Sequence, residues 1–217
     1  ARLSPQDALA GVKHWRLHIT ILAFTFVLFP ILGLLMKPLD WILSPGLYLG
    51  ILYMTLAPST VQSSVNFTSI AKGNVAGAIV SASASNLLGI VVTPVLVMLL
   101  MATGGGVHVD SSVFLDISLQ LLLPFAIGQL TRRWTLKFAA AKTTKNVDRL
   151  SIALVVYAAF SEGMVQGIWS KVPAGDIVIL CVLSVVLVEF VLRLSGFVAK
   201  KMGFDRKDRI AIQFCGS

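Results

Sequence analysis

Charged residues are scarce in this chain: Asp, Glu, Lys and Arg together make up only 13% of its 217 residues. Soluble domains carry about a quarter of their residues as charges, so this composition excludes an ordinary soluble fold. The mean hydropathy of +0.86 agrees with that exclusion. Nearly uncharged apolar stretches of roughly 20 residues recur along the chain, which is the length a helix needs to cross a bilayer. We therefore expect an all-α membrane protein.

Cysteine and acidic residues are also few, and both shortages exclude classes of function. The two cysteines, both in apolar surroundings, offer no basis for a disulfide framework. The ten carboxylates form no His-Glu-x-x-His motif and no magnesium-binding aspartate pair. A phosphate-binding glycine loop and a Ser/His/Asp set are missing as well. We predict that the protein is not an enzyme and has no cofactor, apart from sodium as a coupling ion.

The apolar stretches predict a polytopic helical bundle with six membrane spans and the start of a seventh. Sixteen of the eighteen Lys and Arg residues fall in alternate loops on one side, leaving Lys37 and Lys171 on the other. Cytoplasmic loops carry the excess of Lys and Arg, so the residue 1 end and Lys72 are predicted to be cytoplasmic. The net charge of +8 then indicates contact with lipid head groups and not with nucleic acid. The predicted spans are residues 15–36, 46–71, 75–101, 113–130, 150–168 and 177–198, with the seventh beginning near Ile210.

The second predicted span contains a run of polar residues that begins at Pro58. Proline removes a backbone donor and kinks a helix, and polar side chains at bilayer depth are costly without partners. A broken polar helix near the midplane is a recurrent ion or solute site in secondary transporters. Neutral oxygens suit sodium, whereas small hydroxyls that only allow close helix packing are the alternative interpretation. The candidate binding residues are Ser59, Thr60, Gln62, Ser63, Ser64 and Asn66, with Gln62, Ser63 and Ser64 as candidate sodium ligands.

Residues in three other spans are candidates for supporting or coupling roles. Asn86 in the third span is a candidate for reaching the polar run, while its neighbouring serines indicate close packing and Thr93 before Pro94 indicates a kink. Glu162 lies inside the fifth span, and such a carboxylate suggests a cation or proton site, although contact with interfacial water is the alternative. Gln120 in the fourth span fits either a cavity lining or a pairing between helices.

Seven short motifs together resemble the bile acid:sodium symporter superfamily, and in particular its bacterial SBF-like branch. The similarity covers essentially the whole chain. The motifs are HWRLH at 14–18, PSTVQSS at 58–64, KGNV at 72–75, SASASNLLGI at 81–90, QLLLPF at 120–125, VVYAAFSE at 155–162 and IQFCGS at 212–217.

The resemblance implies a ten-helix fold of two inverted repeats, in which the fourth and ninth helices are broken and cross near the ion sites. This chain would supply helices three to eight and the start of helix nine. Residues 1–101 and 174–217 would then belong to a core domain and residues 102–173 to a panel domain. In the family, a Ser-Asn pair of sodium ligands falls around residues 63–66 of this chain, and an acidic ligand falls near Phe214. The family's hydroxyl pair falls on Ala78 and Ala82, which carry no hydroxyl, so the resemblance implies that one sodium site is weakened or rebuilt.

These observations favour part of a sodium-coupled secondary transporter in a bacterial inner membrane. It would move a small, anionic organic solute by alternating access, with the lipid bilayer and that solute as its partners. A proton-coupled or uncoupled carrier that uses Glu162 is the first alternative. The second alternative is a non-transporting membrane regulator of the same fold, which the alanines at 78 and 82 support. Because the chain starts at Ala1 and stops at Ser217 within an apolar segment, we expect it to be a piece of a longer protein.

Overall fold

The computed structural model describes residues 14–44, 46–104, 142–168 and 172–216, together with the isolated positions 123, 127 and 131. Helices joined by short turns form the regular structure of these residues, and no strand occurs among them. The expected all-α class is therefore confirmed for the described part of the chain. The predicted fourth span, with Gln120, lies almost entirely outside it.

The first predicted span is helical, but its geometry changes halfway. Helix α1 covers Trp15–Ala23 and α2 covers Phe29–Leu35, and a π-helical turn, Phe24–Leu28, joins them. Pro30 at the start of α2 has no amide proton, so we attribute the widened turn before it to this missing donor. A 3₁₀ turn, Lys37–Trp41, follows α2.

The second predicted span is broken, as the proline and the polar run predicted. Helix α3 covers Leu47–Thr55 and α4 covers Gln62–Ile70, with non-helical residues 56–61 between them. A nine-residue helix is only about 13 Å long, which is too short to cross a bilayer alone. The break therefore lies near the middle of the span.

Four further helices follow. Helix α5 is Val75–Gly104, α6 is Lys142–Val165, α7 is Ala174–Lys201 and α8 is Arg206–Cys215. Helix α8 begins earlier than the predicted Ile210. The reason is a cap, because the carboxylate of Asp205 accepts a hydrogen bond from the backbone amide of Asp208 at 2.8 Å.

Among the described residues, three helical stretches are long and apolar enough to cross a membrane. They are Trp15–Trp41, Val75–Met101 and Ala174–Lys201. The apolar part of α6, Leu150–Val165, is shorter. These helices agree with a membrane-embedded bundle.

The buried core of the described residues gathers around α8. Leu17 of α1, Ala78 of α5, Ala199 of α7 and Ile212 of α8 have no exposed surface and pack in one cluster. Small side chains at 78 and 199 let the helices approach closely. Helix α8 thereby contacts α1, α4, α5 and α7.

Two contacts join turns at opposite ends of the bundle. At one end, the Asn74 amide donates to the carbonyl of Lys207 at 2.9 Å. At the other end, the Asp176 carboxylate accepts a hydrogen bond from the Ser44 amide at 2.9 Å. The first contact joins two turns that the charge pattern assigned to the cytoplasm, and the second joins two turns assigned to the other side. The charge alternation and the packing therefore agree.

Candidate functional site at the helix break

The regular hydrogen bonding of α3 ends just before Pro58, and the break between α3 and α4 begins there. The amides of Leu56 and Ala57 reach back only three residues, to the carbonyls of Tyr53 at 3.0 Å and Met54 at 3.3 Å. Pro58 then has no amide proton to continue the helix. The hydroxyl-bearing residues that follow offer the backbone local alternatives to helical hydrogen bonds, which favours a non-helical segment.

Helix α5 supplies partners for the polar backbone groups that the break exposes. The Ser85 hydroxyl accepts a hydrogen bond from the Ser59 amide at 3.2 Å. The Asn86 side-chain amide donates to the Ser59 carbonyl at 2.5 Å. The Thr93 hydroxyl donates to the carbonyl of Leu56 at 2.9 Å. A broken helix inside a membrane needs such partners, because the hydrocarbon of the bilayer offers no hydrogen bonds to its backbone groups.

A glycine makes this arrangement sterically possible. A Cβ atom placed on Gly89 would lie 2.8 Å from Cβ and 2.9 Å from Cγ of Pro58. These distances are shorter than an ordinary carbon–carbon contact of about 3.5–4.0 Å. The proline ring therefore packs directly on the backbone of α5, and this close approach brings Ser85 and Asn86 within hydrogen-bonding reach of the break.

The six candidate binding residues divide into a buried and an exposed group. Ser59 and Ser64 are buried, and their hydroxyl oxygens lie 3.4 Å apart. The hydroxyl of Thr60 lies 3.2 Å from that of Ser64, although Thr60 is largely exposed. The structure thus brings three hydroxyls together at the start of α4. The exposed group is Thr60, Gln62, Ser63 and Asn66.

The exposed polar residues lie on the free surface of α4. Gln62 and Asn66 are one helical turn apart, so they share a face, and Ser63 lies beside it. A polar face of this kind is disfavoured against hydrocarbon and needs protein, water or a solute as its neighbour. The amide groups at the start of α4 add the positive end of a helix dipole next to the hydroxyls. Hydroxyl and amide oxygens can coordinate a cation, while the helix start favours an anionic group.

Helix α8 packs against the C-terminal half of α4 and the turn that follows it. The rings of Phe67 in α4 and Phe214 in α8 stack with their centroids 5.7 Å apart. A Cβ atom on Gly73 would lie 2.5 Å from the Ile210 side chain, so the turn after α4 touches α8 directly. Ala78 and Ala82, where the family resemblance implies a hydroxyl pair, are fully buried.

A second polar cluster, which the sequence reasoning missed, lies where the turn after α4 meets α8. The side-chain amide of Asn74 donates to the Asp208 carboxylate at 2.6 Å, and its own oxygen accepts from the Gly77 amide at 2.8 Å. The His14 ring nitrogen Nδ1 lies 3.7 Å from the other Asp208 oxygen. Asp208 is buried, so these partners offset the cost of its burial. The spacing of these residues in the sequence gave no signal for this cluster.

The remaining candidate residues have different surroundings. Asn86 reaches the break, as expected from its place in α5, but it bonds to backbone. Glu162 in α6 is exposed and accepts a hydrogen bond from Gln166 at 2.6 Å. Gln120 lies outside the described residues. Thr93, which the sequence suggested to mark a kink, also donates to the Leu56 carbonyl at the broken helix, and α5 is helical through Pro94, so the kink itself stays a prediction.

The part of the chain that the structure describes contains three helices of membrane-spanning length and a broken polar helix, which is typical of a helical membrane protein. A broken polar helix is also a recurrent binding site in secondary transporters. Comparison with known proteins narrows the class. The chain belongs to the SBF-like CPA transporter family, whose sequence pattern matches residues 1–217. This family membership confirms the expected relation to the bile acid:sodium symporter superfamily.

Relatives of the chain come from bacteria and vertebrates. The chain is 46% identical over 225 residues to the "Putative symporter YfeH" of Escherichia coli and 46% identical over 220 residues to "Uncharacterized protein PA2026" of Pseudomonas aeruginosa. It is also 28% identical over 232 residues to "Sodium/bile acid cotransporter 7" of Danio rerio. These alignments cover 99 to 100% of this chain but only 65 to 66% of the relatives. The chain therefore spans about two thirds of their length.

Proposed function

We propose that the protein containing this chain is a secondary active transporter that moves a small, anionic organic solute together with sodium, by alternating access. This proposal rests on the exposed polar face of α4, which lies next to a helix break whose backbone groups form hydrogen bonds with α5. A membrane helix with Gln62, Ser63 and Asn66 exposed on one face is costly unless that face meets other protein, a solute or a water pathway, and a solute pathway is the neighbour that we propose. The relatives named as a putative symporter and a sodium/bile acid cotransporter support the same function.

Sodium is proposed to bind near the start of α4, with Gln62, Ser63 and Ser64 as ligands. Hard oxygen ligands are available there from the side chains, and Ser59 and Thr60 supply further hydroxyls. The helix start beside them suits a carboxylate or sulfonate of the solute. We place the protein in the inner membrane of a bacterium with the residue 1 end in the cytoplasm, because Lys and Arg alternate so unevenly between the two sides.

The proposed division into a core domain (residues 1–101 and 174–217) and a panel domain (102–173) has support from packing. Helix α8 contacts α1, α4, α5 and α7, and all five helices belong to the proposed core. Residues of α6 from Leu150 to Val165 are exposed except for Gly163.

Sodium binding can be measured without knowing the solute. The natural protein is purified in detergent, and its thermal unfolding is compared in sodium chloride and in potassium chloride at equal ionic strength. A ligand at about ten times its Kd stabilises the folded state by roughly 1.4 kcal/mol. The double variant Gln62→Ala Ser63→Ala should lose this sodium-specific increase in unfolding temperature. The control Ser83→Ala Ser184→Ala removes two exposed hydroxyls elsewhere in the bundle and should keep it.

Measurements of solute uptake by cells then distinguish sodium-coupled transport from the two alternatives, the proton-coupled carrier and the non-transporting regulator. Uptake that follows an imposed sodium gradient supports sodium coupling. Uptake that follows a pH gradient and disappears in Glu162→Gln would favour the proton-coupled carrier. The buried alanines at 78 and 82 favour the non-transporting regulator, and a protein with no response to sodium or to any solute screen would support that alternative.

A further inference from the structure

A basic pocket opens between α7 and α8, away from the helix break. Its volume is about 610 Å³, and Ala71 at the end of α4 also borders it. Three arginines line it: Arg193 from α7, and Arg206 and Arg209 from the first turn of α8. None of its lining residues is acidic. The pocket therefore concentrates positive charge at the end of the bundle that the sequence assigns to the cytoplasm.

The arginines of α8 are poorly balanced by the groups around them. Positive charges in the first helical turn oppose the helix dipole, which favours anions there. Within the described part of the chain, the buried Nε atom of Arg209 has no hydrogen-bond partner. The nearby carboxylates are engaged elsewhere: Asp205 caps the amide of Asp208, and the Asp208 carboxylate binds Asn74. Among the described residues Arg206 and Arg209 form no ion pair, and no carboxylate lines the pocket beside them.

An apolar groove of about 570 Å³ on the surface of α7 adjoins the basic pocket at Arg193, and all of its lining residues belong to α7. Arg193 borders both cavities, and its guanidinium is paired with Glu189 at 2.6 Å at their junction. Beyond this pair the groove surface is hydrocarbon and aromatic. The apolar lining residues are Val185, Val186, Phe190, Leu194 and Phe197.

We propose that the pocket and the groove together bind one anionic phospholipid. Its phosphate would lie between the guanidinium groups of Arg206 and Arg209, which match phosphate through pairs of N–H donors. One acyl chain would follow the groove from Phe197 towards Val185, deeper in the bilayer. A free phosphate has the same head-group chemistry but leaves the groove empty, and the continuity of the two cavities favours the lipid.

The test measures lipid retention by native mass spectrometry on the natural protein in detergent, with phosphatidylglycerol and phosphatidylcholine as probes. The variant Arg206→Gln Arg209→Gln keeps polar side chains but removes two charges. The control Lys200→Gln Lys201→Gln removes two exposed charges from the end of α7, outside the pocket. We expect the arginine variant to bind phosphatidylglycerol about thirtyfold more weakly. Each basic residue near a membrane surface contributes a similar amount to the binding of anionic lipid, and the variant removes two of them. Binding by the lysine control should be unchanged.

A second variant tests the groove. Val186 is exposed, so Val186→Trp should fill the groove and leave the fold intact. It should weaken binding of phosphatidylglycerol but leave thermal stabilisation by inorganic phosphate unchanged. Equal losses in the arginine and lysine variants would overturn the proposal in favour of diffuse surface attraction. Stabilisation by phosphate as large as that by the lipid, with no effect of Val186→Trp, would reassign the pocket to a free anion.

Discussion

Adding a single methyl group at Gly89 is expected to damage the helix break. Nothing in ordinary helix energetics predicts this, because replacing glycine by alanine inside a helix normally stabilises by about 1 kcal/mol. At Gly89, however, the new Cβ would lie 2.8 Å from Cβ of Pro58. The proline ring is part of the backbone of the break, so it cannot rotate away as a flexible side chain would.

The magnitude follows from the contacts that α5 makes with the break. Overpacking of this kind costs about 1–3 kcal/mol, and each hydrogen bond that is stretched contributes about 1 kcal/mol more. Moving α5 away from Pro58 would stretch the bonds from Ser85, Asn86 and Thr93 together. Three stretched bonds add about 3 kcal/mol to the cost of overpacking, and after subtracting the gain of about 1 kcal/mol from alanine we expect a net loss of about 3–5 kcal/mol in the free energy of unfolding.

Chemical denaturation of the purified protein in detergent measures this change, and α3 offers a matched control. Gly50 lies in the same broken span, and a Cβ atom there would meet nothing within 4 Å. Gly50→Ala should therefore leave stability unchanged or raise it, by up to about 1 kcal/mol. The reasoning is refuted if Gly89→Ala and Gly50→Ala shift stability in the same direction.

Two further substitutions test the polar contacts. Asn86→Ala removes the donor to the buried Ser59 carbonyl and should destabilise the protein by about 1–3 kcal/mol, whereas Ser83→Ala on the exposed side of α5 should change unfolding in denaturant by less than about 0.5 kcal/mol. Asn74→Ala leaves the Asp208 carboxylate buried without its amide donor and should destabilise by about 2 kcal/mol. Hydrogen exchange at the start of α8 should rise in Asn74→Ala, and unchanged exchange there would contradict the role given to this contact.

The break itself was predictable from sequence, because proline acts locally. Pro58 lacks its amide proton in any surroundings, and the polar run after it is conspicuous among apolar residues. The partners of the break were harder to predict. Ser85 and Thr93 are residues of the small, hydroxyl-bearing kind that also favours close helix packing, so their sequence does not reveal which groups they bind. Their hydrogen bonds depend on how α5 lies against residues 56–61.

The polar cluster at Asn74 and Asp208 illustrates what sequence patterns omit. The two residues are 134 positions apart, and neither has a distinctive neighbourhood. Asp208 lies in the first turn of a helix, where a carboxylate is common for reasons of helix stability alone. Only the packing of α8 against the turn after α4 reveals that its carboxylate is buried and paired.

The backbone hydrogen bond from Asn74 to Lys207 makes the end of α4 a pivot on α8. A main-chain contact between two turns cannot be released by a change of side-chain rotamer, so a tilt of α4 about this end would have to stretch the hydrogen bonds that α5 makes to Ser59, next to the far end of α4. The far end is the start at Gln62, roughly 13 Å away along the helix. A rotation of about 10° at the pivot would shift that end by roughly 2 Å over this lever length. That displacement is comparable to one metal–oxygen bond, so a small tilt of α4 would be sufficient to assemble or dismantle the coordination shell of the sodium ion proposed to bind at the break.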